Sequence, residues 1–260
     1  MGTVFAVIAA LFMKQYILVS ERNDPRYAPH IHLRDWAYGK ADCITVQTTD
    51  CIELFNAKVR RKAIVIPNPI GADIPQRYTG TRTKKIVNAA RLHKQKNHRL
   101  LLEAFADFTI KHPDYELHIY GKGELEERLK EIAVELKIEK NVIFKGFSNN
   151  VKEEIKDSSM FVLSSNFEGI SNSLIEAMAM GVPVISTDCP IGGSKMYIED
   201  GVNGLLVPIG QREKMTGAMC RIAEDESLAE QLSQNGEKIK EKYSISMIAD
   251  AFLDAIQFII

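Results

Sequence analysis

From Lys85 onward, short apolar runs rich in β-branched residues alternate with longer stretches whose apolar positions recur at helical spacing. That alternation is the pattern of βαβ units around a parallel sheet. Strands are predicted over Ile86–Ala90, Tyr115–Tyr120, Val142–Lys145, Met160–Ser164, Val182–Thr187 and Gly204–Val207, and helices over Asn97–Lys111, Glu124–Lys137, Val151–Ser158 and Ser173–Met180. Together they make one complete doubly wound α/β domain.

The flanking segments read differently. Residues 1–60 predict a helix in the apolar run Met1–Met13, strands at Ile17–Ser20 and Ile44–Gln47, a helix near Arg26–Gly39 and another to about Ala57. Two strands leave an unprotected sheet edge, so this segment reads as the tail of a domain. Met1–Met13 is well short of the ~20 residues of a spanning helix and lacks the basic start of a signal peptide, so a buried helix is expected. Ala63-Ile-Val-Ile-Pro-Asn-Pro-Ile70 reads as a strand running into an interdomain connection. After Pro208 come helical stretches at Arg212–Glu224, Ser227–Lys242 and Ser246–Ile259, the last too apolar to stay solvated. The expected division is therefore 1–60, 61–243 and a final helix in 244–260.

Composition narrows the classes. With 45% hydrophobic and 26% charged residues in 260, the chain is of the soluble globular kind. A net charge of −1 leaves no footprint for nucleic acid or for strong membrane attraction. Cys43, Cys51, Cys189 and Cys220 lack C-x-x-C spacing and zinc-like histidine offsets, which indicates neither a disulfide framework nor a structural metal and fits a reducing cytoplasm. His30 and His32 have no paired nucleophile in view and read as ordinary surface or packing residues.

Three constellations carry chemistry. In Asn88-Ala-Ala-Arg-Leu-His-Lys-Gln-Lys-Asn97 a strand end leads through a basic loop to a helix start, placing Arg91, His93, Lys94 and Lys96 at the carboxyl end of the sheet. Ligands of open α/β sheets sit there, and arginine and lysine suit a diphosphate; a plain solvated loop is the alternative. In Tyr120-Gly-Lys-Gly-Glu-Leu-Glu126 a strand is followed by Gly121-x-Gly123, but the third glycine of a dinucleotide fingerprint is replaced by Glu126. Close approach to a nucleotide and a tight turn both remain open for these glycines.

The strongest is Ser165-Asn-Phe-Glu168-Gly-Ile-Ser-Asn-Ser-Leu-Ile-Glu176-Ala-Met-Ala-Met-Gly181-Val-Pro183. Glu168 lies in a polar loop and Glu176 in the first turn of the next helix, whose free N–H groups can face an anion. Glu168 and Glu176 can point into one crevice and accept hydrogen bonds from ribose and sugar hydroxyls. Ser173-Leu-Ile-Glu176 is equally a capping box that needs no ligand. Cys189-Pro-Ile-Gly-Gly-Ser-Lys-Met-Tyr197 adds a glycine-rich loop with Lys195 near the crevice, and Asp200–Gly204 a turn.

In order along the chain these segments resemble the GT-B retaining glycosyltransferases of glycosyltransferase family 4. The resemblance rests on Pro67-Asn68, on Arg91 and Lys96 in A-R-L-x-x-x-K-N, on Gly121-x-Gly123, on Glu168 and Glu176 in E-x7-E, and on the run Glu176–Ile185. It implies a GT-B-like chain in which one complete Rossmann-like donor domain follows the C-terminal remnant of an acceptor domain. It further implies that Arg91 and Lys96 hold the donor diphosphate, that Glu176 binds the ribose and that Glu168 acts at the reaction centre. Gly121, Gly123, Gly169, Ile170, Ser171, Asn172 and Ser173 complete the expected donor site. By the same resemblance the reaction needs no metal or other cofactor and retains the anomeric configuration. The expected donor is a UDP-sugar, and the acceptor a glycan or polyprenyl-linked glycan of a bacterial surface polysaccharide. The segment Ser20-Glu-Arg-Asn-Asp-Pro25 is similar to one late in the acceptor domain of bacterial polysaccharide transferases.

Members usually begin with a full acceptor domain, so the chain reads as truncated at its start, with activity in isolation in question. Its final helix is expected to leave an apolar face partly uncovered, favouring self-association, and the expected location is the cytoplasm with peripheral contact at the inner membrane face. Two other classes compete: a non-catalytic nucleotide-binding or assembly module, and a dehydrogenase, which the missing third glycine disfavours.

Overall fold

The computed structural model describes residues 2–260 apart from Lys14, Asn23, Ala28 and Pro29. Part of the predicted Arg26–Gly39 helix and of the Ser20–Pro25 segment therefore lies outside the described residues. The chain opens with α1 (Gly2–Met13), β1 (Leu18–Glu21), α2 (Ile31–Lys40), β2 (Cys43–Val46), the short helices α3 (Thr49–Ile52) and α4 (Ala57–Arg60), and β3 (Ala63–Val65). These strands form one parallel sheet in the order β1-β2-β3. Because β3 pairs with β2, the first sheet continues past residue 60 before the chain crosses over.

The second unit runs β4 (Thr83–Ala89), α5 (His98–Thr109), β5 (Glu116–Tyr120), α6 (Glu126–Glu135), β6 (Val142–Gly146), α7 (Val151–Ile155), β7 (Ser158–Leu163), α8 (Asn172–Ala179), β8 (Val184–Thr187) and β9 (Leu205–Val207). Helices α9 (Arg212–Glu224), α10 (Glu226–Glu237), α11 (Ile239–Lys242) and α12 (Ile245–Ile259) close the chain. Its six parallel strands take the order β6-β5-β4-β7-β8-β9. Counted within the sheet this is 3-2-1-4-5-6, so the winding direction reverses between β4 and β7, where a crevice opens beyond the strand ends.

Alternation along the strands builds both cores. Ile86, Met160 and Val162 face the layer of α5, α6 and α9 with Phe105, Phe108 and Met219, while Val87, Phe161 and Leu163 face α8 and the C-terminal helices with Met178 and Ile248. The second core also takes in Cys43, Ile64 and Leu18 of the first sheet together with Ile248 and Ala255 of α12, so it joins residues of both sheets.

Three expectations change. Helix α7 stops at Ile155 and Ser158 already belongs to β7, because the Arg82 guanidinium binds the carbonyls of Lys156 and Ser158 and pins the chain into the sheet. The predicted Ser227–Lys242 helix breaks at Lys238 into α10 and α11. Helix α1 forms, but it buries one face: Val4 and Val7 pack into the third core cluster, while Phe5, Phe12 and Met13 are exposed. No described helix is long and apolar enough to cross a membrane.

Candidate functional site

The loops after β4 and β7 meet at the switch point and are tied together by backbone and side-chain hydrogen bonds. Asn166 N–H donates to the Gln95 carbonyl (2.8 Å), Ser164 Oγ to the Lys96 carbonyl (2.8 Å) and Asn97 Nδ2 to Asn166 Oδ1 (2.9 Å). Asn97 takes a left-handed conformation, φ 46°, and its side chain caps α5 by accepting from Leu100 N–H. Asparagine tolerates that region because its short polar side chain bonds locally.

This lacing sets Lys96 Nζ 2.5 Å from Glu168 Oε1. Ser165 Oγ donates to the same oxygen at 2.5 Å, Gln95 Nε2 lies 3.4 Å from Oε2, and Glu168 is only 5% exposed. A buried ion pair of this kind gives little net stability, since desolvating both charges offsets their attraction. It positions the two groups instead. Arg91, on the same loop, is exposed and makes no ion pair among the described residues. His93 caps the turn at Lys94–Lys96, its Nδ1 accepting from Gln95 N–H.

Beneath this junction sits His98, which no spacing in the sequence marks. It is buried, bonded through Nε2 to Asn88 Oδ1 (3.0 Å), while Asn88 Nδ2 donates to the Val162 carbonyl. Burial, helped by the Lys96 charge, pushes its pKa down to about 4, so the ring is neutral at pH 7. Gln95, Ser165 and Asn88 lie inside the motifs, yet their spacing gives them no role before the two loops are brought together.

The two G-x-G glycines have a definite job. Gly121 has φ +133°, and a Cβ there would lie 1.9 Å from the Ala90 carbonyl oxygen; at Gly123 it would lie 2.3 Å from that of Leu92. The turn therefore packs against the protein's own Arg91 loop, which it holds through Leu92 N–H to the Lys122 carbonyl and Leu125 N–H to the Leu92 carbonyl. The loop after β8 does the same for Glu168, since a Cβ on Gly193 would lie 1.6 Å from the Gly169 carbonyl oxygen.

The capping box does not form. Ser171 takes the N-cap position of α8 with no side-chain cap bond, and its hydroxyl meets that of Ser173 at 3.2 Å. Glu176 instead faces Lys152 Nζ at 3.6 Å, and burial raises its pKa against the lowering effect of that lysine. Thus the two glutamates are paired with different lysines, and α8 starts at Asn172 and Ser173 without a side-chain cap, directly after the Gly169–Ile170 segment of the Glu168 loop. Asn172, the first residue of α8, accepts from Asn68 Nδ2 (2.7 Å), whose Oδ1 accepts from Gln47 Nε2 (2.7 Å) and Arg22 Nη1 (2.9 Å). Asn68 thereby links the first sheet to the site. Lys195 reaches Asp50 at 3.0 Å, across the junction between the two units, not the Glu168 pocket. His30 and His32 are exposed.

The site joins an exposed arginine, a lysine held on a buried carboxylate and an uncapped helix start at the switch point of a doubly wound sheet. Such an arrangement is chemically suited to an anion, at the place where open α/β sheets bind their ligands. Residues 72–239 match the family described as Glycosyl transferases group 1, and the chain belongs to that family. It is 30% identical over 246 residues to an uncharacterized glycosyltransferase of Methanocaldococcus jannaschii, covering 78% of this chain and 61% of the relative. It is 29% identical over 227 residues to the lipopolysaccharide core biosynthesis glycosyltransferase LpsE of Rhizobium meliloti, covering 84% of this chain and 65% of that protein. The chain thus spans under two thirds of these relatives. Anabaena HepE, solved in complex with UDP, has the same fold with a TM-score of 0.88 at 17% identity, over 98% of this chain and 76% of that one.

Proposed function

We propose that this chain carries the donor site of a retaining, metal-independent hexosyltransferase of glycosyltransferase family 4 that takes a UDP-sugar. The observation that carries the reading is the Lys96–Glu168 contact at the switch point, flanked by Arg91 and the uncapped start of α8. In this reading Arg91, Lys96 and the N–H groups of Gly169, Ile170, Ser171, Asn172 and Ser173 stabilise the charge that grows on the departing nucleoside diphosphate. Glu176 accepts from the ribose hydroxyls, and Glu168 meets the donor sugar at the reaction centre. Gly121 and Gly123 act by holding the Arg91 loop. The unit around the six-stranded sheet is the donor domain, the three-stranded sheet the end of the acceptor side, and α12 the element that returns to it.

The UDP bound by Anabaena HepE supports the choice of base, and the role of LpsE in lipopolysaccharide core synthesis supports a glycan or lipid-linked glycan acceptor of a bacterial surface polysaccharide. The proposed location is the cytoplasm, with peripheral contact at the inner membrane face. The exposed Leu253 and Phe258 of α12 support self-association.

Calorimetric titration of UDP, GDP, ADP and NAD, in buffer containing a chelator, tests the donor site. Selective UDP binding lost in Arg91→Ala and Glu176→Ala is expected. Binding of NAD alone, or no nucleotide binding by folded protein, would overturn the proposal. Saturable UDP binding with neither transfer nor donor hydrolysis would favour a binding module.

A further inference from the structure

At the opposite end of α5 from Lys96, a second cluster gathers outside the donor site. His112 follows the C-terminus of α5, and Cys220 and Glu224 lie four residues apart on one face of α9. One ligand atom from each, the imidazole nitrogen, the thiol sulfur and a carboxylate oxygen, lie within 4.8 Å of one another, with His112 Nε2 and Glu224 Oε1 at 3.0 Å. The histidine ring is held in place before any ligand arrives: it stacks on Phe108 at 4.6 Å and 23°, and meets the Tyr115 ring edge-on at 5.8 Å. Glu224 is half exposed, which leaves a way in and room for a water.

We infer that His112, Cys220 and Glu224 form a binding site for a borderline divalent transition-metal ion, zinc above all, that clamps α5 to α9. The donor set decides the class of ion. Sulfur and imidazole ligands suit zinc or cobalt and disfavour magnesium and calcium, which take oxygen. Tetrahedral zinc holds its ligands at about 2.0–2.3 Å and hence roughly 3.5 Å from one another, so the 3.0 Å His112–Glu224 contact opens slightly and the wider separations, all within 4.8 Å, close by about 1 Å at most. On binding, Cys220 Sγ–H loses its proton to solvent as the sulfur–metal bond forms, the His112 ring takes the tautomer with its proton on Nδ1 and gives the Nε2 lone pair, Glu224 exchanges its hydrogen bond from Nε2–H for a bond from a carboxylate oxygen to the metal, and water fills the fourth position.

The ion would reinforce a seam already made by Thr216 Oγ1 donating to the Ala104 carbonyl and by the Arg212–Asp107 ion pair. Spacing rules miss such a site because its ligands come from α9 and from the segment after α5, which are distant in sequence. Helix α5 has 12 residues, so the cluster stands roughly 18 Å from the Lys96 end. The site is therefore independent of the donor reading.

Cobalt(II) titration of the metal-free chain tests the inference. Saturation at one equivalent is expected, with a thiolate-to-cobalt charge-transfer band in the near ultraviolet that zinc abolishes by displacement. Cys220→Ser should lose the band, and His112→Gln and Glu224→Gln should each weaken binding at least tenfold while keeping the wild-type circular dichroism. Zinc should raise the melting temperature of the wild type and not that of Cys220→Ser. Absence of the band in the wild type, or its persistence in Cys220→Ser, would overturn the site. If Cys220→Ser does not fold, the exposed Glu224→Gln decides: unchanged cobalt affinity there is equally fatal.

Discussion

Lys96 and Glu168 are 72 residues apart in sequence and 2.5 Å apart in space, one on the loop after β4 and the other on the loop after β7. The lysine that the proposed reaction needs for phosphate is thus already engaged by the carboxylate that the reaction needs for the sugar, and an incoming diphosphate competes for it.

That competition predicts opposite effects for the two residues. Glu168→Gln keeps the shape and removes the charge, so UDP should bind several-fold more tightly while sugar transfer is lost. Lys96→Ala leaves Glu168 buried without its counter-charge and should cost about 3 kcal/mol of stability together with UDP affinity. Urea unfolding and calorimetry on both variants check this, and weaker UDP binding by Glu168→Gln would contradict it.

Gly121→Ala and Gly123→Ala drive a methyl group into the carbonyls of Ala90 and Leu92. Each should cost about 2–3 kcal/mol, the upper range for overpacking, and displace the Arg91 loop so that UDP affinity falls. A variant with wild-type stability and affinity would show that the turn does not hold the loop.

The buried imidazole of His98 predicts a pH dependence. Its folded pKa of about 4 is below its unfolded value near 6.5, so between these the unfolded chain binds more protons and stability rises with pH. The contribution is complete above pH 6.5 and is lost as the pH falls from there through 4, up to about 3 kcal/mol. In His98→Gln the slope of stability against pH over this window should flatten by that amount. An unchanged slope would mean that another group sets it.

Leu253 and Phe258 are 56% and 76% exposed on α12, and Phe12 and Met13 are 86% and 66% exposed on α1. A run of apolar residues left in water favours association. Sedimentation should show concentration-dependent self-association of the wild type, reduced in Leu253→Ser with Phe258→Ser. Equal behaviour of both proteins would remove this surface from the account.

Local pattern made most of the architecture legible. The alternation of β-branched runs with helical spacing located the strands of the second sheet, and that pattern records burial within each element, which neighbouring residues determine by themselves. The ordered motifs around Arg91, Gly121, Glu168 and Glu176 likewise needed no coordinates. Spacing could not choose between a capping box at Ser173 and an unsatisfied helix start, because both use the same residues. Only the packed structure turned Glu176 toward Lys152, placed Ser171 at the helix start, revealed Ala90 and Leu92 behind the two glycines and brought β3 into the first sheet. These outcomes depend on contacts between segments distant in the chain, set by which strands pair and how closely their loops approach. A one-dimensional pattern carries no such distances. The sequence alone determined the elements and the residue types suited to a phosphate, whereas the tertiary structure decided which charge meets which.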